Sequence, residues 1–169
     1  MQVNLEDIKE QMRLNAKMKI IAKDFSLATA SYDIFFSGCA ASPRCEGCHN
    51  PEAWSFGVGT PWIGHIMDIC RDIRTYNNVV KRIFIMGGEP LDQDREAFLL
   101  FLQGIKDLNK DIWLFTHYEL DEVPENVKDL VDYIKTGRYK PELSIDDNIC
   151  YGVKLATSNQ KVYKKGIDY

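Results

Sequence analysis

Three cysteines within ten residues, Cys39, Cys45 and Cys48, constrain this chain more than any other feature of it. They lie at the head of a stretch, residues 40–59, that carries Pro43, Gly47, Asn50, Pro51, Gly57 and Gly59. That composition breaks helices and strands alike, so the stretch reads as a long loop. Loops of that length inside compact domains are usually functional. Free thiols crowded on such a loop would oxidise unless ligated. The spacing C-x5-C-x2-C supplies three thiolates, whereas a four-iron cubane normally takes four. A cluster held this way keeps one iron open to a substrate, as a catalytic zinc site keeps one position open. The alternatives are a zinc site of the three thiolates with His49, or a chance grouping of structural thiols. His49 follows Cys48 directly, which makes joint tetrahedral ligation awkward.

The rest of the sequence describes an ordinary framework for that loop. A chain of 169 residues suits one domain with one core, residues 1–169, with residues 1–25 as an N-terminal extension of it. Hydrophobic residues at 45% and charged residues at 27% place it among globular chains rather than disordered or membrane-spanning ones. No apolar run approaches the roughly 20 residues needed to cross a bilayer. The polar, partly acidic start Met1–Glu10 is not a secretory signal, so a cytoplasmic location with no membrane partner is expected. A net charge of −4 gives no dense basic face for nucleic acid. The basic run Lys161–Lys165 reads as a solvated tail. Five cysteines in a reducing compartment do not suggest a disulfide framework. Cys70 falls on an apolar helix face and reads as packing; Cys150, in a loop, reads as structural.

Periodicity gives the elements. Leu5, Ile8 and Met12 recur with a loose helical rhythm, and residues 19–23 suit a short strand. Residues 32–36 read as a buried strand that ends just before Cys39. Thr60-Pro61 resembles a helix start, with Ile63, Ile66, Met67, Cys70 and Ile73 on one face. Residues 82–86 are a second strand, cut off by Gly87-Gly88. Residues 92–109 are a helix with Phe98, Leu99, Leu102 and Ile105 inward. Strands follow at 112–115 and 131–135, with a short helix near 125–130 between them, and 155–157 suits a last short strand. Strands alternating with helices imply crossover connections, an α/β class and a mostly parallel sheet. In such sheets the functional loops lie at the carboxyl ends of the strands. The cysteine loop and the Gly87-Gly88 turn both fall there.

That turn, Gly87-Gly88-Glu89-Pro90, is the second candidate site. Two glycines let backbone groups approach a ligand closely. Glu89 offers a carboxylate that would suit an ammonium group, and Pro90 stiffens the exit. Together with an open iron at the neighbouring strand end, the turn would bind the amino-acid end of a small molecule.

On these residues the chain resembles the radical S-adenosylmethionine superfamily, and within it the anaerobic ribonucleotide reductase activating proteins. The resembling stretches are FFSGC (35–39), CEGCHNPEAW (45–54), GGEPLDQD (87–94), IWLFTHYE (112–119), VDYIKTGRY (131–139) and LATSNQKV (155–162). The resemblance implies a partial, open (β/α) barrel and a single 4Fe–4S cluster on Cys39, Cys45 and Cys48. It further implies that S-adenosylmethionine binds the open iron, is cleaved by one electron, and yields a radical that takes hydrogen from a glycine of the reductase large subunit. The electron donor implied is flavodoxin-like. Gly87, Gly88, Glu89 and Pro90 would hold the methionine end. Gly47 and His49 would contact adenine, and Thr116 and Lys135 would line the nucleoside. Thr116 and Lys135 read equally as exposed polar residues at loop edges, as His117 does. The sequence departs from the family pattern in its first cysteine gap, five residues instead of three, and in Thr136, where many members carry an acid. Because a barrel this short cannot close, the partner protein is expected to cover its open side.

Two other functions compete. One is a radical enzyme acting on a small molecule such as a 7-deazapurine precursor. The other is a non-enzymatic zinc or electron-transfer module.

Overall fold

The structure, a computed structural model, describes residues 4–169. The first three residues of the polar start, and the side chain of Ile8 in the first helical rhythm, lie outside the described set. The chain runs through α1 (Leu5–Lys17), β1 (Lys19–Ser26) and β2 (Ser31–Phe36) before the cysteine loop. It continues with β3 (Thr60–Pro61), α2 (Ile63–Thr75), β4 (Arg82–Gly87), α3 (Arg95–Lys106) and β5 (Asp111–Phe115). Then come the single turn α4 (Glu125–Lys128), β6 (Tyr133–Thr136), β7 (Ile149–Cys150), β8 (Val153–Lys154) and β9 (Lys161–Lys164).

Among the described residues one sheet of seven strands runs in the order β3-β1-β2-β4-β5-β6-β9. Its centre, β2-β4-β5-β6, is parallel, as the alternation of strands and helices requires. Both flanks are antiparallel: β1 returns on β2, β3 on β1, and β9 on β6. The sheet is therefore mixed rather than simply parallel. Its outer strands β3 and β9 pair only inward, so it does not close into a barrel.

Period-2 alternation sorts the strand residues onto two faces. Ile34, Phe36, Ile83, Ile85, Ile112, Leu114 and Ile134 meet the helices, where Ile69, Ile73, Phe98, Phe101, Leu102 and Ile105 complete the main core. Their alternates Phe84 and Trp113 face the other way. There they pack with Val153, Leu155 and Val162, with Met86, Phe115 and Tyr133 at the edge. Tyr133 stacks flat on Trp113, with ring centroids 4.3 Å apart. This second face is thinner, and a cavity opens above it at the carboxyl ends of the parallel strands.

Five sequence expectations change. Thr60-Pro61 does not begin the helix. It pairs with Lys19 and Ile20, and the edge position tolerates a proline without an N–H. The first turn of α2 is anchored instead by Asn15, whose side-chain oxygen accepts the Ile63 N–H at 3.1 Å. Met67 is exposed, whereas Ile69 is fully buried, so the buried stripe of α2 is offset from the one expected. In α1, Leu5 and Met12 are exposed and Leu14 is the inward residue. Finally, 161–165 is not a solvated tail. Residues 161–164 form edge strand β9, with Val162 buried against the second core and lysines guarding the open edge. Residues 155–157, expected as a strand, contribute only an isolated bridge between Thr157 and Ser144.

Candidate functional site

The loops leaving β2, β4, β5 and β6 surround a cavity of about 290 Å³. Cys39, Cys45, Cys48, His49, Gly87, Gly88, Glu89, Thr116 and Lys135 all line it. Of the residues singled out from the sequence, Gly47 and Pro90 stand outside the lining. Pro90 is buried at the start of a 3-10 turn, Pro90–Asp92. Gly47 sits under a tyrosine described below.

The cysteine loop and the glycine turn are one backbone assembly. The Gly88 N–H donates to the Phe36 carbonyl at 2.8 Å and the Glu89 N–H to the Gly38 carbonyl at 2.7 Å. Gly38 and Cys39 in turn donate to the carbonyls of Ala53 and Trp54, folding the end of the loop back over its start. The Gln93 amide ties the joint from beneath, donating to the carbonyls of Ser37, Gly38 and Glu89 at 3.0–3.3 Å. This explains the two glycines differently from the expectation. A Cβ on Gly87 would stand 2.2 Å from the Phe36 carbonyl oxygen, and one on Gly88 would stand 2.2 Å from that of Gly38. Gly87 also has φ of +121°, where a side chain is strained. The glycines are there so that the two strand ends can touch each other.

Glu89 is likewise committed to protein. Its side chain is 2% exposed. One carboxylate oxygen accepts the Leu91 N–H at 3.0 Å and the Thr116 hydroxyl at 2.7 Å. The other accepts the His117 backbone N–H at 2.8 Å and meets His117 Nδ1 at 2.7 Å. With all these donors around it, the carboxylate fastens the end of β5 to the glycine turn and is not free to hold an ammonium group. Thr116 is correspondingly buried, not exposed at a loop edge.

His117, expected at the surface, is drawn inward by the same carboxylate. Burial alone would lower its pKa, but the contacts with Cys39 and Glu89 outweigh burial and raise it to about 10. Lys135 also lines the cavity and donates to the Gly137 carbonyl at 3.1 Å. Burial pulls its pKa down to about 8, and the charges of Glu89, Cys45 and Glu119 resist that fall. The cavity thus places His117 and Lys135 beside three thiols and the Glu89 carboxylate.

The long first gap is well anchored. The Ala40 N–H donates to Asp92 at 2.6 Å, and the Tyr118 hydroxyl donates to the other oxygen of the same carboxylate at 2.7 Å. The Arg44 guanidinium lies 4.6 Å from the centre of the Trp54 ring, a cation–π contact. The Arg138 guanidinium donates to the Pro43 carbonyl. Sequence reasoning missed Arg44, Trp54, His117, Tyr139 and Gln160 as lining residues. For His117 a signal existed, a histidine just past a strand's carboxyl end. Tyr139 and Gln160 are brought in by pairing between β6 and β9, which periodicity did not reveal.

Among the described residues, no three His, Cys, Asp or Glu side chains converge as ligands of one metal ion. The thiolates of a cubane bind different irons and stand apart around a shared space. Cys39, Cys45 and Cys48 share the lining of one cavity, as the ligands of a cluster would have to. No helix among the described residues is long and apolar enough to cross a membrane.

Comparison with known proteins adds to this geometry. Residues 30–162 match the family of 4Fe-4S single cluster domains. An anaerobic ribonucleoside-triphosphate reductase-activating protein of Escherichia coli is 31% identical over 137 residues, 77% of this chain and 85% of that protein. One of the same description from Haemophilus influenzae is 33% identical over 106 residues, 60% of this chain and 66% of that protein.

Proposed function

The chain belongs to the family of anaerobic ribonucleoside-triphosphate reductase-activating proteins, and from that premise we propose that it is a radical S-adenosylmethionine activase. Cys39, Cys45 and Cys48 would hold one 4Fe–4S cluster, with the fourth iron left for S-adenosylmethionine. Held there, the cluster would supply the single electron for reductive cleavage of S-adenosylmethionine, and the radical chemistry that follows would be directed at a glycine of the partner reductase. The observation that carries this reading is that the three cysteines and the Gly87-Gly88 turn line a single cavity at the ends of parallel strands.

The chain's own residues have defined parts in it. Backbone carbonyls of the glycine turn would take the ammonium of the methionine end, since the Glu89 carboxylate is occupied within the fold. Lys135 would face the methionine carboxylate as its counter-charge. Thr116 and His117 are held by Glu89 and form the wall behind them. The open sheet is in keeping with a partial (β/α) barrel in a single domain over residues 1–169. Its uncovered side would receive the glycine-bearing segment of the reductase large subunit. A flavodoxin-like protein would supply the electron, and the whole reaction would be cytoplasmic.

The test is to mix the anaerobically reconstituted protein with S-adenosylmethionine, a reductant and an anaerobic ribonucleotide reductase. A doublet glycyl radical signal on the reductase by electron paramagnetic resonance is the expected result. S-adenosylmethionine cleavage with a modified small molecule and no protein radical would favour the small-molecule reading instead.

A further inference from the structure

The strap that leaves β6, residues 137–140, is tied down on both sides. On one side the late Ser158-Asn159-Gln160 stretch holds it: the Asn159 amide donates to the Arg138 carbonyl at 3.0 Å, and the Gln160 amide to the Gly137 carbonyl at 3.4 Å. On the other side the Arg138 guanidinium donates to the Pro43 carbonyl, inside the long cysteine gap. Between these ties the chain carries Tyr139 over the cysteine loop. A Cβ added to Gly47 would stand 3.4 Å from Tyr139 Cε1, so the ring rests against that part of the loop. The ring lines the cavity and meets His49 at 4.7 Å between centroids, tilted by 50°. That tilt leaves neither ring sealed by the other.

The remaining aromatic rings of the cavity are already engaged. The Arg44 guanidinium lies on one face of Trp54, and His117 packs against Tyr118 with ring centroids 4.2 Å apart. Phe115 packs with Phe84 and Trp113 in the second core. Tyr139 is the planar side chain at the cavity that is held by strap ties and not by core packing. Building on the reading that this cavity takes S-adenosylmethionine, we propose that Tyr139 is the face against which the purine base stacks. The five-residue gap contributes Pro43 as the anchor that holds the strap, and with it Tyr139, in place. The longer gap then has a purpose: it carries Pro43 to Arg138. Arg138 is accordingly a positioning residue, acting through Tyr139.

The experiment measures binding of S-adenosylhomocysteine, which cannot be reductively cleaved in the same way, to the anaerobically reconstituted protein by calorimetry. Wild type is compared with Tyr139→Ala, Tyr139→Leu and Tyr139→Phe, with iron content and melting temperature recorded for each. Aromatic stacking on a base predicts about tenfold or greater weakening for Ala and Leu, and a change below about threefold for Phe. Ala binding within about threefold of wild type would overturn the proposal. So would Leu binding as well as Phe, because bulk rather than an aromatic face would then suffice. If Ala fails to fold, the Leu and Phe pair still decides. Failure of the wild-type protein to bind S-adenosylhomocysteine would overturn the activase reading itself, and the proposal with it.

Discussion

Replacing Glu89 by Gln tests the joint at the heart of the site. The carboxylate takes donors on both oxygens: Leu91 N–H and Thr116 Oγ1 on one, His117 N–H and Nδ1 on the other. An amide has only one acceptor oxygen. Whichever way it is turned, its NH2 group faces a backbone N–H, and one buried donor is left unpaired at a cost of about 1–3 kcal/mol. A second loss depends on pH. The folded pKa of His117 is raised from 6.5 to about 10, equivalent to at most about 5 kcal/mol. Cys39 and Glu89 share that lift, so roughly half of it goes with Glu89. A raised pKa means the stabilisation is complete below the unfolded value near 6.5 and disappears as pH climbs towards 10. The stability gap between wild type and Glu89→Gln should therefore be about 3–5 kcal/mol at pH 6 and shrink by about half by pH 9.5. Urea unfolding of the reduced, cluster-free proteins, followed by tryptophan fluorescence, measures it. A gap below 1 kcal/mol at pH 6, or one that stays constant with pH, would show that Glu89 does not hold His117 in this way.

Further outcomes are expected elsewhere. Replacing Cys39, Cys45 or Cys48 with Ala should abolish cluster binding, read as lost iron and visible absorbance, whereas Cys70→Ala should keep the cluster and lower stability by about 1 kcal/mol. Gly88→Ala should destabilise the fold by several kcal/mol, since its Cβ would collide with backbone oxygens of Gly38 and Ala53 that cannot move aside; a melting curve decides. Lys135→Met should stabilise the cluster-free protein by up to about 3 kcal/mol at pH 7, because burial has lowered the lysine's pKa to about 8. For such a group the penalty is greatest below pH 8 and fades as pH rises to 10.5, so the two stability curves should converge above that pH. The same variant should bind S-adenosylhomocysteine more weakly.

The site was legible in the sequence where chemistry and local spacing coincide. Cys39, Cys45, Cys48 and the Gly87-Gly88 turn each follow an apolar strand, and the fold brings them to one cavity for that reason. What those glycines and Glu89 do there was not legible. Backbone contact between two strand ends, and a carboxylate that reaches Thr116 and His117, arise between segments far apart in sequence. Strand β9 was hidden because its lysines match a solvated tail, and only Val162 packs inward. Thr60-Pro61 carried a helix-start signal that pairing with β1 overrode. Tyr139 depends on ties to Pro43 and to the Asn159-Gln160 pair, contacts that local patterning does not encode.

The most direct measurement of the central claim is iron content and product after anaerobic reconstitution. The protein is loaded with iron and sulfide, reduced, and incubated with S-adenosylmethionine, and 5′-deoxyadenosine is quantified. About four irons per chain are expected, with 5′-deoxyadenosine formation that is lost in Cys45→Ala. Bound zinc in place of iron, with S-adenosylmethionine left intact, would contradict that claim.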